Sequence, residues 1–197
     1  MKPIENENTF YAKSSTDWRN WLQKNHLTKE NVWLIIYRKQ SNTPSVYYPE
    51  AVDEALCFGW IDSLPNKRDD NSYYLFFSKR KVKSNWSKVN KLKVDRLIKE
   101  NKMMPQGLKM VELAKQTGTW EALDKVDELK IPEEMKVLFK KKPLAKVNFE
   151  KFPVSTKKGI LEWIYSAKQD STRIKRITET VMLAEQNIRA NQYQPTK

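Results

Sequence analysis

The segment Arg80-Lys-Val-Lys-Ser-Asn-Trp-Ser-Lys-Val-Asn90 brings hydroxyls, cations and a helix-start signal together. A helix beginning at Ser84 would present unpaired backbone N–H groups and a partial positive charge at its first turn. Arg80, Lys81 and Lys83 lie just upstream, and Ser84 and Ser87 add hydroxyls. Such a set suits phosphate, sulfate or a carboxylate. Gly59-Trp60-Ile61-Asp62-Ser63 supplies a carboxylate, Asp62, that would pair with Arg80 or orient a ligand. The candidate anion site is therefore Asp62, Arg80, Lys83, Ser84, Trp86, Ser87 and Asn90. The competing reading is structural, with Ser84 as an ordinary cap, Trp86 in the core and Asp62–Arg80 as an ion pair.

Other reactive residue types form no set. Cys57 lies between Leu56 and Phe58 in an apolar helix, and the lone histidine, His26, has no orienting third group. Asp53 and Glu54 are adjacent on a helix and point in different directions. No catalytic residues, metal ligands or cofactor are expected. The enzymatic alternative would act on a phosphorylated or carboxylated substrate, with Asp62 as acid or base beside Arg80. Tyr73, Tyr74, Phe76 and Phe77 resemble a stacking surface for single strands, but alternation along a half-buried strand explains them as well and is the preferred reading.

Charge is uneven along the chain. Residues 79–102 carry ten Lys/Arg against two acids and residues 130–158 nine Lys against three acids, enough to account for the whole net charge of +13. Concentrated positive charge favours anionic partners. Lysine dominates both segments, so nucleic-acid binding is expected to be weak, salt-dependent and indifferent to base sequence. The longest apolar run, Val32 to Tyr37, predicts no transmembrane segment. One cysteine and no apolar leader predict a cytoplasmic protein.

The elements that would position these residues are legible in outline. Ser15 and Thr16 are expected to cap a helix running to about Asn25, with Trp18, Trp21 and Leu22 on one face. Val32–Arg38 and Ser72–Ser78 predict two strands of a small antiparallel sheet, separated by a Pro49-initiated helix that Gly59 ends. Trp60–Ser63 is expected to lead into a charged loop. Helices are predicted over residues 84–100, from Pro105 to Gly118, from Pro132 to before Pro143, over 155–168, and over 170–191. In the last, Ile174, Ile177, Val181, Ala184 and Ile188 form a stripe expected to pack with Trp163. The fold class is α+β, helix-rich, with a C-terminal helical module. Pro143 and Pro153 suggest a division into an N-terminal α+β region, residues 1–142, and a C-terminal helical module, residues 143–197, with packing as one globular unit as the alternative.

Three stretches carry a family pattern: Ala51 to Ser63; Arg80 to Asn90, with Leu97, Ile98, Met103, Gly107 and Leu108; and Trp163 to Lys168, with Thr172, Arg173, Arg176 and Ile177. Together they resemble the YdeI/OmpD-associated, or bacteriocin-protection, family from Trp18 to about Ile188. The resemblance implies a bacterial cytoplasmic protein without an established enzyme activity, acting in tolerance of antimicrobial peptides or bacteriocins. Many such peptides are cationic, and a +13 protein repels them at long range, which favours an indirect role.

Overall fold

In the computed structural model, which describes residues 8–192, four strands form one sheet. They are β1 (Thr9–Tyr11), β2 (Asn31–Tyr37), β3 (Trp60–Lys67) and β4 (Ser72–Lys79), ordered β1-β2-β4-β3. Alternation along β2 and β4 decides which side chains meet. Val32, Leu34 and Ile36 stand opposite Phe77, Leu75 and Tyr73 on one face. That face closes on Trp18 and Leu22 of α1 (Ser15–Asn25) and on Val52, Ala55 and Leu56 of α2 (Tyr48–Cys57). The other face pairs Trp33 with Phe76, ring centroids 4.8 Å apart, and Ile35 with Tyr74. The tyrosine and phenylalanine pairs of β4 thus divide between the two faces of the sheet.

Two features of the sheet differ from expectation. The sheet is mixed, because β1 joins β2 in parallel, with α1 as the crossover between them. Residues 60–67 are a strand instead of a charged loop. Its polar residues and Pro65 suit an edge, and the register shifts between Asp62 and Pro65. Ser14, one residue earlier than expected, caps α1 by accepting from the Asp17 amide at 3.1 Å.

Beyond the sheet come α3 (Lys88–Lys99) and α4 (Pro105–Gln116). Asp53 of α2 binds Lys93 at 2.5 Å and also pairs with Arg96, which ties α3 to α2. Glu54 accepts from Arg19 of α1 at 2.6 Å. The two adjacent carboxylates therefore brace two different helices. Gly107 lets α4 lie directly on the end of α2. A Cβ there would sit 2.2 Å from the Cys57 carbonyl oxygen.

The chain divides after Ala122 into two units, each with its own apolar cluster. The division falls before the expected 142/143 boundary. Pro143 instead opens a helix inside the second unit, where its fixed φ suits a first turn. That unit contains α5 (Asp124–Asp127), α6 (Glu133–Lys141), α7 (Pro143–Lys151), α8 (Val154–Tyr165) and α9 (Asp170–Glu185). Ile177, Val181 and Ala184 are buried with Ile160 and Ile164, while Trp163 packs partly buried against them. Ile174 is 41% exposed, so the buried stripe of α9 starts one turn later than expected. Arg176 spans the α8 terminus, stacking 5.0 Å from the Trp163 ring centroid and donating to the Trp163 carbonyl and to Ser166 Oγ. Arg173 grips Glu134 of α6 through two hydrogen bonds. The third sequence motif is accounted for by these struts.

Candidate functional site

The turn after α2 sets the site. Gly59 has φ +75°, a left-handed conformation natural to glycine. Its carbonyl accepts from the Arg80 amide at 2.9 Å, which brings the start of β3 beside the residue that follows β4. Arg80 is buried, with 6% of its surface exposed. Its guanidinium lies over Trp86, 3.7 Å from the ring centroid, and its Nη2 donates to the Asn85 carbonyl. Its Nε has no hydrogen-bond partner. Burial lowers the Arg80 pKa to about 10, and the nearby Asp62 charge offsets this only in part. At neutral pH Arg80 is therefore a buried cation with incomplete compensation.

Asp62 sits on β3, and no ion pair within 4 Å joins it to Arg80. Asp62 accepts instead from Tyr48 Oη at 2.9 Å. Burial, and then this bond to Asp62, push the Tyr48 phenol up to about 12. The expected Asp62–Arg80 contact is thus replaced by a Tyr48–Asp62 bond with Arg80 in the field of the carboxylate. The residues flanking α2 gave no sequence signal for Tyr48 as the partner.

The helix after Arg80 begins later than expected. Its cap is Ser87, whose Oγ accepts from the Asn90 amide at 3.3 Å. Ser84 lies in the preceding turn, where its amide donates to the Lys81 carbonyl at 2.9 Å. Both serines are competent caps. Trp86 decides between them, because it lies outside the helix and is buried, donating its amide to the Thr119 carbonyl and packing 5.0 Å from the Trp120 ring centroid. The unpaired first amides therefore belong to Lys88 and its neighbours, not to the residues after Ser84. Lys83 is exposed and Asn90 half-buried. The structure joins Arg80 with Trp86, places Ser87 and Asn90 at the helix start, and moves Ser84 out of that role.

The remaining reactive residues are engaged elsewhere. His26 Nδ1 lies 2.9 Å from the Leu22 carbonyl, and the buried Cys57 thiol is pushed up to about 11 by burial. The two basic segments fall in different units. Within them Lys79, Lys93, Arg96 and Lys102, and then Lys136, Lys142, Lys146 and Lys158, pair with acids. Local ion pairs thus absorb part of the charge that would otherwise meet a polyanion. No helix among the described residues is long and apolar enough to cross a membrane.

Comparison with known families divides the chain along the same lines as its cores. Residues 10–110 match a domain of unknown function (DUF8412), and residues 128–187 match the model described as bacteriocin-protection, YdeI or OmpD-associated. The first two sequence motifs fall in the former and only the third in the latter, so the bacteriocin-protection match covers the helical unit alone. No curated protein and no solved structure matches the chain.

Proposed function

We propose, on the premise that this chain belongs to the DUF8412 family over residues 10–110 and carries a YdeI/OmpD-associated segment over 128–187, that its N-terminal unit binds a small oxyanion at Arg80. One observation carries this reading: Arg80 is buried, held flat on Trp86, unpaired with any carboxylate and left with a free Nε. A phosphate, sulfate or carboxylate at the guanidinium edge would supply the missing counter-charge in two or more charge-assisted bonds. Ser87 and Asn90 contribute the helix start, Lys83 adds field from the surface, and Asp62, held by Tyr48, disfavours bulky polyanions. The module is cytoplasmic, in keeping with a single, buried free thiol. Any part in antimicrobial-peptide tolerance is indirect, because a +13 chain repels cationic peptides.

Calorimetric titration of inorganic phosphate into the wild type and Arg80→Gln tests this. The wild type should bind saturably, and Arg80→Gln should lose binding at least tenfold while its circular dichroism is unchanged. Lys83→Gln should weaken binding modestly and only at low salt. Absence of phosphate, sulfate and acetate binding to the wild type, or equal binding to Arg80→Gln, refutes the proposal.

A further inference from the structure

The helical unit contains a groove that the oxyanion reading does not use. α6 and α7 meet at Lys142, and the elbow between them encloses about 560 Å³. Ile131, Phe139 and Val147 form its apolar lining, and Lys136, Lys140 and Lys146 stand around it. Phe139 is anchored in the core, 3% exposed, whereas Val147 is 45% exposed. The lysines are only loosely neutralised. Lys136 pairs with the exposed Glu133, Lys146 lies 3.7 Å from Glu150, and no acid pairs with Lys140 among the described residues.

We infer that this groove takes a single-chain amphiphile, an acyl chain bearing an acidic head group. The volume lies in the range of small-ligand sites. Each of the two helices has nine residues and so spans about 13 Å, far short of the roughly 800 Å² per partner that a stable protein interface covers. An apolar floor inside a rim of three lysines and one glutamate complements a chain that is apolar along its length and negative at one end. A hydrophilic anion would leave the floor empty, and a neutral chain would leave Lys140 unanswered. The site lies in a different unit from Arg80 and stands independently of it.

The test is calorimetric titration of the full chain with dodecanoate and decanoate, each below its micelle concentration. Saturable binding is expected, tightening by roughly fourfold for each additional buried methylene. Val147→Asp, a change at a half-exposed position, should weaken dodecanoate at least tenfold. Lys140→Glu, at an exposed position, should weaken it several-fold, with the difference shrinking in high salt. Arg80→Gln should bind dodecanoate like the wild type, which separates this site from the oxyanion site. Absence of saturable binding, indifference to chain length, or wild-type affinity in both groove variants overturns the inference. So does binding to phosphatidylglycerol vesicles without binding of free dodecanoate, which would assign the face to a membrane surface.

Discussion

Replacing Gly107 with alanine should destabilise the N-terminal unit, although alanine is the better helix former. Inside a helix, Gly→Ala normally gains about 1 kcal/mol. Here the added Cβ would lie 2.2 Å from the Cys57 carbonyl oxygen, 2.7 Å from its carbon and 2.9 Å from the Leu56 carbonyl oxygen. These are backbone atoms at the end of α2, so no side chain can swing away. Restoring contact distance requires α4 to move out by about 1 Å, and overpacking of this kind costs roughly 1–3 kcal/mol or more. The same movement stretches the hydrogen bond from the Met104 amide to the Cys57 carbonyl, now 3.0 Å, worth about 1 kcal/mol. Set against the propensity gain, the net loss is about 1–3 kcal/mol, or a fall in Tm of about 4–12 °C. Six of the seven tryptophans precede residue 123, so fluorescence-detected urea and thermal unfolding report mainly this unit. A Gly107→Ala variant within about 0.5 kcal/mol of the wild type, or more stable than it, would refute the close-approach argument.

Asp53→Asn should cost about 1–2 kcal/mol, because it weakens contacts with Lys93 and Arg96 that are partly shielded from water; the urea midpoint measures this. The Tyr48–Asp62 bond needs the phenol proton, and Tyr48 titrates at about 12 instead of the ordinary value near 10. Its stabilisation should therefore be complete below about pH 10 and disappear as pH rises toward 12, so wild type and Tyr48→Phe should differ at about pH 8 and converge in strong alkali. Cys57, buried and titrating at about 11, should resist a disulfide reagent in the native protein near neutral pH and react once urea unfolds the unit.

The sequence made the core strands and most helices legible because they rest on strong local signals. Val32–Ile36 is rich in β-branched and aromatic residues, Pro49 and Pro105 open helices, and Gly59 and Gly118 take positive φ beyond helix ends. Where it misled, tertiary contacts outweighed local chemistry. Ser84 and Ser87 are equivalent caps in isolation, and only the burial of Trp86 selects the second. Trp60–Lys67 has polar residues and a proline, which suit a loop until an edge position and a register shift make them suit a strand. β1 is too short to show a period, and its pairing depends on the crossover through α1. At the candidate site Arg80 and Trp86 were each legible as members, but the stacking of one on the other was not. Nor was the partner of Asp62, because Tyr48 lies on another element whose approach is set by helix packing.

Two separate apolar cores have a consequence for how this chain can change over generations. The family matches end at 110 and resume at 128, and the division between the units lies within that gap. A recombination joint placed between residues 122 and 123 would cut neither apolar cluster. Each half can therefore be inherited, lost or paired with a different neighbour as a whole. The Arg80 unit and the helical unit that matches the bacteriocin-protection model are then free to evolve at different rates.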